Sequence, residues 1–233
     1  VDPDLGTDAA ESARLPAAGV LLTDDRGQAL QDTHVAIDFT LPEAMLENVR
    51  ACVDRGTPLV MGTTGLEQKH MDAMTEAARD IPLVFGRNMS VGVNVFTNMV
   101  RRAAAALGKD YDVEIREAHH QHKVDAPSGT ALALGEAIAS ARGTSLDEVA
   151  VHERHGVIGP RVPGTIGFSV VRAGDIVGDH EVLFVAPEES VEFRHNARDR
   201  KTFARGALRA ARWVTGQPPG LYGMTDVLGL DSD

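Results

Sequence analysis

Between residues 35 and 107, short apolar runs alternate with helix-length segments, and no other feature of the chain restricts its fold as much. Val35-Ala36-Ile37-Asp38-Phe39, Pro58-Leu59-Val60-Met61 and Pro82-Leu83-Val84-Phe85 have strand length, and each is followed by a helix signal. Thr40 and Glu43 have capping-box spacing and open a helix to about Arg55. Thr64 and Glu67 repeat the box for a helix to about Arg79, and Ser90 caps a third over 91–107. Strands joined by helical crossovers pair in parallel, and ligands of parallel sheets gather at the carboxyl ends of the strands. Thr40, Gly62, Thr63, Thr64, Arg87 and Asn88 lie at those ends.

The second half changes character. Residues 111–118 alternate as a strand does, with Val113, Ile115 and Glu117 on one side and Asp112, Glu114 and Arg116 on the other. Further strands are expected over 166–172, 180–186 and 190–195. The turn residues between them suggest an antiparallel meander. A helix over 200–215 is stopped by Gly216 and Pro218. The expected fold is α/β: a parallel-sheet domain over 1–89, an α+β domain with a mixed sheet over 90–199, and a tail over 200–233 that returns to the first domain.

Residues 1–34 do not read as the opening of a nucleotide-binding sheet. Such a sheet begins with a strand, a glycine-rich turn and a helix N-terminus for a pyrophosphate, and no Gly-x-Gly-x-x-Gly or Gly-x-x-Gly-x-x-Gly lies near the start. Since 35–107 reads as the later part of such a domain, the opening strand-loop-helix is expected to be missing from this sequence.

The chemistry concentrates in His119-His120-Gln121-His122-Lys123, followed at once by Val124-Asp125-Ala126-Pro127-Ser128-Gly129-Thr130. The first stretch leaves a strand. The second opens a helix over 130–142, its start marked by Pro127, Ser128 and Thr130. A helix N-terminus offers amide donors and a partial positive charge, so a carboxylate or phosphate is favoured there. Proton-handling side chains beside such a point suit the protonation of something anionic.

The 233 residues, 43% of them hydrophobic, can bury one large core or two modest ones. A net charge of -11 with no basic stripe argues against a nucleic-acid partner. The absence of a long apolar run argues against a membrane span. The single cysteine, Cys52, excludes an internal disulfide and suits a reducing cytoplasm; packing is its expected role.

Glu117-Ala-His-His-Gln-His-Lys-Val-Asp-Ala-Pro-Ser-Gly-Thr-Ala131 closely resembles the signature of the dihydrodipicolinate reductase family. Supporting stretches are Ile37-Asp-Phe-Thr40, Gly62-Thr-Thr-Gly65, Asn88-Met-Ser-Val-Gly-Val-Asn94, Arg161-Val-Pro-Gly-Thr-Ile-Gly167 and Arg172-Ala-Gly-Asp-Ile-Val-Gly178. The resemblance implies a Rossmann-like dinucleotide-binding domain (1–89), a substrate-binding and tetramerisation domain (90–199) and a homotetramer. It also implies reduction of 4-hydroxy-tetrahydrodipicolinate, a cyclic dicarboxylate, to tetrahydrodipicolinate with loss of water, in lysine and diaminopimelate biosynthesis, using NADPH or NADH. By position, His119 is implied as proton donor and Lys123 as the assisting acid. His120 would bind one substrate carboxylate, and Ser128, Gly129 and Thr130 the other. Gly62, Thr63, Thr64, Gly86, Arg87, Asn88 and Met89 would lie along the cofactor.

Blander readings stand beside these. His119, His120 and His122 could ligate a metal, but their spacing is unlike a tetrahedral zinc motif and Lys123 would repel a cation. Gly62-Thr-Thr-Gly65 could be an ordinary strand-to-helix turn, and Asn88 a brace for the next helix. His122 is as well explained by structure as by function. His152, His155, His180 and His195 are scattered, so surface or satisfied core positions are the default. Arg198 and Arg200 fit a solvated face, and Met89 and Met99 are expected to pack. Competing functions are a scaffold that kept the fold without a nucleotide loop, and a metal-dependent hydrolase.

Overall fold

The structure is a computed structural model, described here for residues 4–230. Those up to Arg87 together with Ala207–Val227 form one compact unit, and Asn88–Gly206 with the residues from Leu228 on form another. No helix among the described residues is long and apolar enough to cross a membrane.

The first unit opens with two single-turn helices, α1 (Ala9–Ser12) and α2 (Arg26–Ala29), capped by Asp8 and Asp25. The alternating segments follow: β1 (Ala36–Asp38), α3 (Pro42–Arg55), β2 (Leu59–Met61), α4 (Gln68–Ala77) and β3 (Pro82–Phe85). The three strands are parallel, as their helical crossovers require. All of β2 is buried, the pattern of a parallel strand covered on both faces. Met45, Val49 and Cys52 fall on one stripe of α3 and pack with Leu59, Met61, Met74 and Leu83.

Both capping boxes differ from expectation. Pro42 takes the first helical position of α3, so Leu41 is the N-cap. Thr40 turns to the strand end instead: its N–H donates to Asp38 Oδ1 (2.7 Å) and its hydroxyl accepts from Asn48 (3.2 Å). At α4, Gly65 has φ +75 and separates Thr64 from the helix. Glu67 is the N-cap there, and its N–H donates to Nδ1 of His70 (2.9 Å), an imidazole in the place usually held by Glu or Gln.

The second unit begins with α5 (Val91–Leu107), capped by Ser90 as its sequence predicts. It continues through β4 (Asp112–His119), α6 (Gly129–Ala141), α7 (Leu146–Val149), β5 (Ala150–Val151), β6 (Ile166–Arg172), β7 (Gly178–Val185) and β8 (Ser190–Ala197). Phe96, Val100 and Ala104 of α5 and Ala131, Leu134 and Ile138 of α6 pack on Val113, Ile115, Ile166, Phe168, Val182 and Phe184 of the sheet.

The sheet is mixed, as expected, but its order β5-β6-β4-β7-β8 corrects the expected meander. β7 and β8 are hairpin neighbours, but β4 lies between β6 and β7, parallel to the first and antiparallel to the second. Residues 173–177 therefore step over the end of β4 rather than forming a tight turn. They are tied there by Ala173 N–H to His119 O (2.9 Å) and Gln121 N–H to Gly174 O (3.1 Å). Met99 is exposed, contrary to its expected packing, whereas Met89 and Cys52 are buried.

The chain then forms α8 (Lys201–Val214), β9 (Gly220–Tyr222) and α9 (Met224–Leu228). β9 adds to the first sheet as the parallel neighbour of β3, giving the order β1-β2-β3-β9.

Candidate active site

The alternation of β4 places Val113, Ile115, Glu117 and His119 on its buried side. The apolar pair enters the core, and the polar pair stands at the carboxyl end of the strand. Glu117 is 3% exposed and His119 9%.

A buried carboxylate is tolerable only when its lone pairs are filled, and those of Glu117 are. Arg172, at the end of β6, grips both oxygens (2.7 and 2.8 Å). The Ser128 N–H donates to Oε1 (3.0 Å), and Nδ1 of His119 lies 2.6 Å from Oε2. Burial pushes the Glu117 carboxyl up, but the hydrogen bonds from Arg172, His119 and Ser128 outweigh it and hold the group below its ordinary range. As a carboxylate it only accepts, so the network assigns the Nδ1 hydrogen to His119 and leaves Nε2 to take or give a proton. That nitrogen comes so close to Gly178 that a Cβ there would lie 3.1 Å away.

The other predicted residues lie on the loop after β4 and on the first turn of α6. Lys123 Nζ is paired with Asp125 Oδ1 (2.7 Å), and the Asp125 carbonyl accepts from Arg172 (2.6 Å). His120 Nε2 accepts from Arg200 (3.2 Å). Burial, then Arg200 and the neighbouring cations, lowers the basicity of His120 and favours a neutral ring. The His122 ring lies 6.2 Å from that of His120. Ser128 caps α6 by accepting from Ala131 N–H (3.2 Å), Gly129 is exposed at the first helical position, and Thr130 Oγ1 accepts from Asn88 Nδ2 (3.2 Å). So His119, Ser128 and Lys123 are joined through Glu117, Arg172 and Asp125. His120 is tied to Arg200, which is exposed, as its sequence context predicts.

Of the residues expected along a cofactor, Gly62, Thr63, Thr64, Gly86 and Arg87 sit at the carboxyl ends of β2 and β3 in the first unit, while Asn88 and Met89 belong to the second. Gly62 is buried under the Phe39 ring, which takes up the space of a Cβ, while Phe39 and Thr64 are themselves exposed. Thr63 is buried with its hydroxyl on Asp38 (3.4 Å). This edge fits a planar nicotinamide. It offers no phosphate cradle among the described residues, because Pro42 opens α3 without an N–H and Glu67 fills the start of α4.

Among the described residues no group of three or more His, Cys, Asp or Glu side chains has a metal-holding arrangement. Sequence reasoning gave no role to Glu117, Asp125, Arg172 or His180. Glu117 carried a usable signal, a carboxylate on the buried side of an alternating strand. His180 carried none.

The family model for the dihydrodipicolinate reductase N-terminus matches residues 2–89, and that for the C-terminus matches residues 92–228. The chain belongs to the dihydrodipicolinate reductase family. Among relatives of this reductase family, the 4-hydroxy-tetrahydrodipicolinate reductase of Hahella chejuensis is 51% identical over 226 residues, covering 97% of this chain and 85% of its own. That of Magnetococcus marinus is 50% identical, covering 97% and 84%. Among solved structures, the dipicolinate-bound dihydrodipicolinate reductase of Paenisporosarcina sp. TG-14 has the same fold, with TM-score 0.73 at 24% identity, covering 96% of this chain and 85% of that one.

The site has an acid-sensitive component. Burial pushes the His180 imidazole down to about 4; His119 lowers it further, Glu117 raises it, His195 lowers it and Asp179 raises it. The unfolded imidazole binds a proton near its ordinary value while the folded one stays neutral, so stability is full above about pH 6.5 and falls towards pH 4, by about 3 kcal/mol in all. Glu117 acts in the same direction at lower pH, because its depressed folded value means its contribution is lost as pH falls through it. Urea unfolding of the His180→Leu variant should therefore change less between pH 7 and 5 than that of the wild type. Equal slopes would remove His180 as the cause.

Proposed function

We propose that the chain is a 4-hydroxy-tetrahydrodipicolinate reductase, an oxidoreductase of lysine and diaminopimelate biosynthesis that uses NADPH or NADH. The observation that carries this reading is the buried Glu117–His119 pair beside the capped start of α6, on a chain about half identical to relatives of that name. A nicotinamide, when bound, supplies a hydride. Gly62, Thr63, Thr64, Gly86 and Arg87 would line its ring side, with Asn88 and Met89 next along the chain.

The residues of the second unit supply the rest. Hydride added at one carbon of a conjugated cyclic imine leaves electron density on its neighbour, which needs a proton. His119, oriented through Nδ1 by Glu117, delivers one from Nε2. Lys123 assists as a second acid, and Asp125 steadies its ammonium. One substrate carboxylate is received by His120. The other is received by the hydroxyls of Ser128 and Thr130 and by the Gly129 N–H at the start of α6.

On this reading residues 1–89 hold the dinucleotide, 90–199 bind substrate and oligomerise, and 200–233 return to the first domain. The enzyme works in the cytoplasm as a homotetramer. Exposed Val171 and Val185 on the outer face of the second sheet support association through that face. The test is oxidation of NADPH and NADH by the protein, supplied with the condensation product of pyruvate and aspartate semialdehyde. Turnover with at least one is expected, and none with either would sink the reading.

A further inference from the structure

His180 lies on β7, paired across the sheet with Glu117 of β4, and only 4% of its surface is exposed. Its ring stands edge-on to that of His119, with centroids 5.1 Å apart and planes at 75°. Its Nε2 is 3.0 Å from Ser128 Oγ. Its Nδ1 is buried and has no hydrogen-bond partner among the described residues.

Two tautomers are open to a neutral ring in that position. With hydrogen on Nδ1, that N–H is buried without an acceptor, and Ser128 must spend its hydroxyl hydrogen on Nε2. With hydrogen on Nε2, the ring donates to Ser128 Oγ and only a lone pair is left bare at Nδ1. A hydroxyl has two lone pairs and one hydrogen. In the second arrangement the lone pairs take Ala131 N–H and His180 Nε2–H, and the hydrogen is left over. A bare nitrogen lone pair is the smaller defect of the two. The Nε2 tautomer therefore wins.

Thr130 repeats the design. Ser90 N–H donates to Asn88 Oδ1 (2.8 Å), which fixes the orientation of that amide. Asn88 Nδ2 is left to donate to Thr130 Oγ1 (3.2 Å). Each hydroxyl at the start of α6 thus accepts from a protein donor and keeps its own hydrogen.

We propose that His180 is a positioning residue: by donating from Nε2 to Ser128 Oγ, it turns the Ser128 hydroxyl hydrogen outward to meet a carboxylate of the substrate. The proposal rests on the reading that the start of α6 receives that carboxylate. His180 touches neither substrate nor cofactor, and it acts through Ser128 alone. Its neutrality, favoured by burial, suits the task because the ring then carries a single hydrogen, on Nε2.

The test is a double-mutant cycle read by calorimetric binding of pyridine-2,6-dicarboxylate to the intact protein and by steady-state kinetics. Ser128→Ala and His180→Leu should each weaken binding about tenfold, the worth of one hydrogen bond to a charged group, and the double variant should be no weaker than Ser128→Ala. KM for the cyclic imine substrate should rise in step, with kcat within about threefold. His180→Gln, whose amide N–H reaches as far as Nε2, should restore affinity to within about threefold of wild type, and His180→Asn, which is too short, should not. Additive losses would overturn the role of His180 and leave that of Ser128 standing. Wild-type binding by Ser128→Ala would instead overturn the carboxylate assignment beneath it. If the leucine variant fails to fold, the glutamine and asparagine variants decide, and equal affinities would overturn the proposal.

Discussion

His119→Gln should lower kcat by about 10²–10³-fold while KM for the dicarboxylate stays within about threefold, because the loss is of a proton donor and not of a binding group. The expectation comes from the Glu117 hydrogen bond to Nδ1, which presents Nε2 as the working nitrogen. Lys123→Ala should cost less, about tenfold to 10²-fold in kcat, since an assisting acid shares the barrier with the first. Steady-state rates at saturating NADPH or NADH measure both. Full activity in the pair would mean that the proton comes from elsewhere.

Arg172→Ala should be the most damaging single change to stability. It strips two of the four hydrogen bonds that hold a carboxylate with almost no exposure, and breaking such a pair typically costs about 3–5 kcal/mol. In a chain of this size that corresponds to about 10 °C in the melting transition. Thermal melting of the intact chain followed by circular dichroism measures this, and an unchanged transition would remove Arg172 as a stabilising tie. A Glu117→Met/Arg172→Met double variant should recover much of the lost stability, because it removes the buried charge together with its partner. It should not recover activity, since His119 would no longer be oriented. Recovery of both would show the pair to be a structural tie only.

What the sequence disclosed depended on the range of the forces involved. The start of α5 at Ser90, the span of β3 and the opening of α6 at Ser128 are set by neighbours a few residues away, and each was readable. The neighbours of β4 are not local. Its partners begin at Ile166 and Gly178, and no turn residue records that β4 enters between them. The two misplaced capping boxes show a local rule losing to a stronger one: a proline in α3, and a positive φ at Gly65 before α4. At the candidate site the His-Lys cluster was conspicuous because its residues are consecutive. Glu117, Arg172 and His180 come from three different strands and converge only through sheet register, which is why pattern alone left them without a role.

The pairing of β3 with β9 bears on how the protein is made. Leu83 and Val84 leave the ribosome well before Leu221 and Tyr222, so the flank they present stays open while the intervening residues are synthesised. An open apolar strand flank is a template for unwanted association. Translation through the codons of β9 is needed before that flank is closed, and a polypeptide released earlier would be a substrate for chaperones and proteases.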